Sequence, residues 1–534
     1  MITIKRIDTD FIYFESTTKL AVKLGASYSK RHQSFRLPIN LHSLKELMLH
    51  SQAPELLELH KKVGDYYDKL KSIKAKKDTD GDARLRPYQR VDVEFTGSRE
   101  RVGVFNEQRT GKTPMVLIAD GSTSKRIVVC PSGLKLNWQR EIANWLGTEP
   151  VYVVSGTPTT RNKIYNNFKV LRKATLIVSY ETLRNDINTI VGLDYDTLVV
   201  DESHRLRNYD TKQSKAIYIL GDKAKKVYAL TGTPAVNNPS DVFGIFKLLK
   251  PNKYTSFWTF AERYFTIYKT HFSTEVGAIR NDRADEFQNL LDVYSTNRKR
   301  RDVMSWLPKI NERVVDLDIT APQKRLLTEI IEMQRFNGNV IPNAVAQLMR
   351  LRQATLHPEL LDTKGNSPKL DFILDYVEDN QDQKIIVFSM FTSFLKLLKD
   401  KLGDKAVMLT GEQNQTEKQR SVDAIQHGDA KVMLANIIAG GVGWTLDKAD
   451  IIIFTDVSYN PMDNAQAKDR FVPTKTDVEY GGKEIVYLEM SKSIDKSIRS
   501  LLDKKIDIIK YVNDYGINSL VKEDQIVYNN NRKD

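Results

Sequence analysis

Gly111-Lys112-Thr113 closes the stretch "NEQRTGKT" and carries the residue types of a phosphate-binding loop. Glycine allows close backbone approach, the lysine ammonium suits β- and γ-phosphates, and the threonine hydroxyl suits Mg2+. The full pattern G-x-x-x-x-G-K-[ST] asks for glycine where Asn106 stands, and a surface turn can hold the same triplet, so corroboration is needed. It comes from "TLVVDESH" at 197 to 204, where four apolar strand residues deliver Asp201-Glu202 to a strand's carboxyl end. An aspartate there can hold a metal ion, and the glutamate can orient or deprotonate an attacking water. Lys112, Thr113, Asp201 and Glu202 together are the set needed to hydrolyse ATP with Mg2+.

Such a set works only if parallel strands bring the loop and the acidic pair to one edge. Between about 100 and 250, "VGVFN", "RIVVCP", "VYVVSG", "TLIVSY", "TLVVDE" and "VYALTGT" read as buried strands alternating with amphipathic stretches. Between about 384 and 490, "KIIVFSM", "AVMLTG", "KVMLAN", "DIIIFTD" and "EIVYLEM" repeat the pattern. The expected fold class is therefore α/β with two parallel-sheet units. "RVGVF" precedes the phosphate loop, and "PMVLIADG" follows it as a short helix whose first N–H groups face an anion.

The expected organisation is a small α+β module at 1–80, a first lobe at 84–250, a helical insertion and linker at 251–368, a second lobe at 369–490 and a helical tail at 491–534. Residues 61–77 hold seven Lys against two Asp, which suits either a solvated helix face or a nucleic-acid contact. "TKGNSP" at 363–368 reads as a turn or linker. A length of 534 residues suits two to four domains, and 41% hydrophobic residues exclude a disordered chain. No apolar run approaches a membrane span and no signal peptide is recognisable, so a cytoplasmic protein is expected. The single cysteine, Cys130, excludes an internal disulfide and a multi-cysteine metal site, and its setting "RIVVCPS" suits a buried strand residue better than a nucleophile. A net charge of +13 makes polyanions plausible partners.

Taken in order, "RPYQ" (86–89), "NEQRTGKT", "VVCPSGLKLNWQREIANW" (128–145), "IVSYETLRND" (177–186), "DESH" and "LTGTP" (230–234) resemble the motifs of superfamily 2 helicase-like ATPases of the SWI/SNF type. "RKRRDVMSWLP" (298–308), "LRQATLHPELL" (351–361), "SPKLDFILDYV" (367–377), "VFSMFTSFL" (387–395), "IIAGGVGWTLDKAD" (437–450) and "NAQAKDR" (464–470) extend the resemblance over about residues 84–490. It implies two RecA-like lobes, ATP and Mg2+ as cofactors, and DNA as partner. Gln89 then resembles the adenine-reading glutamine, and Gly111, Lys112 and Thr113 the phosphate site. Gln466 and Arg470 resemble the second lobe's contribution to the nucleotide, with Arg470 catalytic alongside Lys112 and Glu202. Thr231 and Thr233 resemble the motif that couples hydrolysis to lobe movement, or form a structural turn. Ser132, Lys135, Ser179 and Gly411 lie in motifs that touch the nucleic-acid backbone in relatives, and each also suits a structural role.

Two departures stand out: Arg109 replaces a glycine of the family loop, its guanidinium approaching the phosphates or turning outward, and Pro473 replaces a second arginine. The segment "SYSKRHQSFRLPINLHSLKELM" (27–48), with Phe35 in place of a tryptophan, is similar to the HepA-related domain of annealing helicases and fork remodellers, and also suits a generic α+β module. The resemblance implies an ATP-dependent translocase on double-stranded or branched DNA, a fork or four-way junction, serving replication, recombination or repair through branch migration or annealing. Other replication or recombination proteins are a further class of partner. The compact length suits a bacterial or phage enzyme by analogy. The alternatives are an RNA-unwinding ATPase, against which "DESH", "LRQATLHPELL" and "AGGVGWTL" count, and a non-hydrolysing nucleic-acid scaffold suggested by Arg109 and Pro473.

Overall fold

All six apolar runs of the first α/β region form strands; five are buried along most of their length and so need no alternation of polar residues, while Val151–Val153 is half-buried at the sheet edge. The computed structural model describes residues 2–504 apart from 122–124, 236–237, 270–273, 333–334, 337–338, 341–342, 441–443 and 474–481. The chain divides into two compact units at Ser305/Trp306.

In the first unit the parallel sheet runs in the order Ser295–Thr296, Arg101–Val104, Lys226–Leu230, Thr197–Asp201, Lys125–Cys130, Ala174–Ser179, Val151–Val153. The registers pair Leu230 with both Val104 and Asp201, so three carboxyl ends lie side by side. Helices such as Lys135–Leu146, Tyr180–Ile190 and Lys212–Lys223 join successive strands. Ile127, Val129, Leu176, Leu198, Ile217 and Ile245 belong to one continuous core.

The front of the chain forms a four-stranded antiparallel sheet, Thr3–Ile7, Phe11–Glu15, Ser34–Pro38 and Ser27–Ser29 in spatial order. Its core draws Ile12, Phe14 and Leu37 from strands and Leu44, Leu47 and Leu56 from the helices Leu41–Met48 and Pro54–Ala75. Six of the seven lysines between 61 and 77 are exposed. Lys74 instead donates to the carbonyls of Asp292 and Ser295 at 2.6 and 2.8 Å, and burial pushes its ammonium pKa down to about 8.

The module is fastened to residues 253–286 through a buried carboxylate. Glu286 receives Arg263 at 2.8 and 3.0 Å, Asn40 Nδ2 at 2.9 Å and Tyr264 OH at 3.1 Å. Burial alone would raise its pKa; Arg263, His42 and Arg283 outweigh burial and lower it. Arg283 reaches Glu46 at 3.0 Å, Arg263 reaches Ser43 Oγ at 2.8 Å, and Lys253 donates to the Ile39 carbonyl at 2.8 Å.

In the second unit the parallel sheet runs Ile310–Leu317, Lys483–Met490, Ile451–Phe454, Ile385–Ser389, Val432–Asn436, Ala406–Leu409. Residues 251–368, read from sequence as helical, also contain strands that break that reading: the pair Phe265–Lys269 and Thr274–Ile279, the short strand Ser295–Thr296, the pair Arg335–Phe336 and Asn339–Val340, and Ile310–Leu317. The last is an edge strand whose Glu312 and Arg313 face solvent, so it lacks an apolar run. The segment 363–367 is the expected irregular connection before the helix Pro368–Asp379. The expected helical tail begins with Ile494–Asp503; its remainder from 505 lies outside the described residues. Among the described residues no helix is long and apolar enough to cross a membrane.

Candidate active site

The phosphate loop leaves the strand Arg101–Val104 and enters the helix Lys112–Asp120 at Gly111, whose φ of 81° is the left-handed turn that favours glycine. A Cβ at Gly111 would sit 2.1 Å from Gln89 Nε2. Gln89 is 7% exposed and donates to the Thr110 carbonyl at 2.9 Å, while its Oε1 accepts the Arg86 N–H at 2.8 Å. Tyr88 OH donates to the same Thr110 carbonyl at 2.9 Å. The proposed adenine reader thus also holds the loop. Arg109 adopts φ 67°, the conformation a glycine would take in its place, and is half-buried.

Lys112 Nζ donates to the carbonyls of Asn106 and Glu107 at 3.0 and 3.2 Å, so its ammonium folds back over the loop. Gly232, from "LTGTP", packs so closely that an added Cβ would lie 3.0 Å from Gln108 and 3.6 Å from Lys112 Nζ. Thr113 is the second residue of the helix and half-buried.

Asp201 ends its strand, with one carboxylate oxygen accepting Trp138 Nε1 at 2.8 Å and the other the Glu202 N–H at 2.9 Å. Burial and the neighbouring Glu202 carboxylate push its pKa up to about 6, against the opposing pull of Trp138 and Lys112. Two crowded, half-buried carboxylates are stabilised by a cation. Among the described residues no three His, Cys, Asp or Glu side chains gather into a group that could hold a metal ion. Asp201, crowded by the Glu202 carboxylate, is suited to a cation.

Glu202 takes φ 51°, a left-handed conformation outside glycine that is kept at functional turns. Its Oε2 lies 3.2 Å from His204 Nδ1, which is also 3.2 Å from Thr231 Oγ1; that hydroxyl accepts the Thr233 N–H at 3.1 Å. Thr231 is fully buried, and its N–H bonds the Val104 carbonyl at the loop's base. Lys112, Asp201, Glu202, Thr231 and Thr233 therefore converge. Trp138 and His204, which hold Asp201 and link Glu202 to Thr231, are not marked out by the sequence beyond lying inside the motifs at 128–145 and 201–204.

Of the nucleic-acid candidates, Ser132, Lys135 and Ser179 lie at or just after the carboxyl ends of the paired strands Lys125–Cys130 and Ala174–Ser179, and Gly411 belongs to the second unit. Ser132 is exposed on the turn Ser132–Leu134, and Gly411 is exposed with open space about it. Lys135 donates to the Val154 carbonyl at 2.8 Å, and burial lowers its pKa. Ser179 is 3% exposed and caps the helix Tyr180–Ile190, its hydroxyl accepting the Thr182 N–H at 3.2 Å. Cys130 is fully buried and its thiol is pushed well up by desolvation, which makes it inert.

In the second unit Gln466 and Arg470 lie four residues apart on the helix Pro461–Phe471, whose Met462, Ala467 and Phe471 face the core. Pro473 follows the helix and is buried. "LRQATLHPELL" has a structural use there: Arg352 donates to Asp456 at 2.6 Å, and Asp456 also accepts Ser389 Oγ at 2.7 Å. Lys369, fully buried, meets Asp495 and the Thr455 carbonyl at 2.7 Å each.

Comparison with known proteins shows the family. The SNF2-related domain matches residues 37–360. The chain belongs to the SNF2-related family. The helicase conserved C-terminal domain follows at 368–473. This SNF2-related chain is similar to the chromodomain-helicase-DNA-binding protein 1-like of Danio rerio, 26% identical over 73% of this chain and 40% of that protein. It is also similar to the uncharacterized ATP-dependent helicase MG018 of Mycoplasma genitalium, 26% identical over 72% of this chain and 38% of that protein. The human DNA annealing helicase and endonuclease ZRANB3 is 24% identical over 80% of this chain and 40% of its own length. The chain thus spans about two fifths of these curated relatives. A solved SWI2/SNF2 ATPase core of Sulfolobus solfataricus in complex with dsDNA is 21% identical over 82% of this chain and 95% of that one, with a TM-score of 0.39.

Proposed function

We propose that this SNF2-related chain is an ATP-driven translocase on double-stranded or branched DNA. The observation that carries the reading is the convergence of Lys112, Asp201 and Glu202 at neighbouring strand ends, with His204 standing between Glu202 and Thr231. Lys112 neutralises phosphate charge, and Glu202 orients and deprotonates the water. Thr113 and Asp201 would hold Mg2+, which would supply further charge neutralisation. His204 fixes the Glu202 carboxylate and passes its position to the 231–233 turn, a route by which hydrolysis reaches the rest of the motor. Gln466 and Arg470 are the second unit's candidates for nucleotide contact.

Work on forks or four-way junctions, as in branch migration or annealing, is the finer reading. It is supported by the front module and by the likeness to the human DNA annealing helicase and endonuclease. The module's turn exposes Lys30 and Arg31 beside Tyr28, which is 55% exposed, a combination suited to phosphates and an unpaired base. The test is steady-state ATPase with single-stranded, duplex, forked and four-way DNA, for the wild type and for Lys30→Glu/Arg31→Glu. Stimulation by duplex and greater stimulation by branched DNA, with only the excess lost in the variant, supports the reading. ATPase indifferent to every DNA removes it. Equal loss on all DNAs removes the branch-selecting role and leaves a duplex translocase.

A further inference from the structure

The basic run "RKRRDVM" has no part in the site described so far, yet it is stitched to the phosphate loop. The strand Ser295–Thr296 adds to the sheet beside Arg101–Val104, and the Phe105 N–H continues the pairing to the Thr296 carbonyl at 2.9 Å. The Glu107 N–H then bonds the Arg298 carbonyl at 2.9 Å, and the Arg300 N–H bonds the Glu107 carboxylate at 2.8 Å. Asn106, where the phosphate-loop pattern asks for glycine, is fully buried. Its Oδ1 accepts the Arg298 N–H at 3.0 Å, and its Nδ2 donates to Asp92 at 2.7 Å. Arg298 Nε reaches the other Asp92 oxygen at 3.0 Å. Asp92 is fully buried on the helix Pro87–Gly97, which also carries Gln89. The loop's first half is therefore held from two sides, and one of them is the segment by which the chain leaves the first unit at Ser305.

We propose that Arg298, acting through Asp92 and Asn106, is a positioning residue that holds the phosphate loop in the shape that binds nucleotide. The proposal rests on the reading of Lys112 as a nucleotide site. Asn106 replaces a glycine's freedom with two fixed hydrogen bonds, so the loop's shape depends on partners 14 and 192 residues away. Lys112 bonds the carbonyls of the two clamped residues, so a displaced Asn106 or Glu107 displaces its ammonium. Because residues 295–300 lead directly to the point where the second unit begins, displacement of that segment is transmitted to the loop by covalent and hydrogen bonds alone.

The test compares wild type, Arg298→Gln, Arg298→Lys, Asp92→Asn and the double variant Asp92→Asn/Arg298→Gln. A fluorescent ADP analogue gives affinity, steady-state ATPase gives KM and kcat, and melting reports folding. Arg298→Gln is expected to weaken nucleotide binding and raise KM by about tenfold or more, because a buried carboxylate loses its cation. The expected change in kcat at saturating ATP is smaller than about threefold. Arg298→Lys should recover part of the affinity, and the double variant, which removes the orphaned charge, should bind better than Arg298→Gln. A lowered melting temperature with unchanged ADP affinity and KM would overturn the proposal and leave a brace only. Wild-type protein that fails to bind ADP at all would instead overturn the underlying nucleotide-site reading.

Discussion

Replacing Gly111 with alanine tests the loop geometry most directly. Two costs add. An alanine held near φ 81° loses about 1 to 2 kcal/mol to contact between Cβ and the backbone. Its Cβ, 2.1 Å from Gln89 Nε2, also drives that amide off the Thr110 carbonyl and breaks a buried 2.9 Å hydrogen bond, worth about 0.5 to 1.5 kcal/mol. The sum is about 1.5 to 3.5 kcal/mol. The loop relieves it by leaving the observed shape, which the surrounding sheet does not share. Nucleotide must then restore that shape, so affinity for ADP should fall roughly 10- to 300-fold. Titration with a fluorescent ADP analogue measures the loss, while circular dichroism and melting verify the fold. The double variant Gln89→Ala/Gly111→Ala removes the clash and keeps the strained φ, so its loss beyond Gln89→Ala alone should shrink to the dihedral part. Binding by Gly111→Ala within about threefold of wild type, with an unchanged melting curve, would refute the geometry.

Lys112→Ala and Glu202→Gln should each abolish measurable ATP turnover, a drop of at least about 10² in rate, while duplex binding in a gel-shift assay stays within about threefold. Arg470→Ala should keep nucleotide affinity within about threefold and lower single-turnover hydrolysis by at least about two orders of magnitude; a slight rate change would mark Arg470 as a surface ion-pair residue. Arg352→Met should leave Asp456 buried and unpaired and cost the second unit about 3 to 5 kcal/mol, read from denaturant unfolding.

The parallel strands were legible because runs such as 127–130 and 432–435 are apolar throughout, which suits a strand covered on both faces. The edge strand Ile310–Leu317 escaped because its charged residues carry no such run, and the two-residue strand Ser295–Thr296 because pairing alone defines it. The paired strands Phe265–Lys269 and Thr274–Ile279 were hidden inside a segment whose flanking stretches read as helices. Lys112, Asp201 and Glu202 were legible because each sits in a contiguous motif. The partners that aim them were not, because Trp138 lies 63 residues from Asp201 and Arg298 lies 206 from Asp92. A single sequence records residue types at those positions and no trace of their meeting.

The Glu286 carboxylate that fastens the front module has a consequence for how the chain is made. Asn40 meets it across 246 residues, and Ser43 and Glu46 wait nearly as long for Arg263 and Arg283. At about 5 to 20 residues per second of synthesis, the module's sheet emerges from the ribosome roughly 12 to 50 s before its partners do. During that interval the face bearing Asn40, Ser43 and Glu46 is open to water, and its polar side chains suit that wait better than an apolar surface would. Closure of this face is a late event in biogenesis. A ribosome stalled before residue 286 should therefore carry a front module that proteases still cut within 24–46.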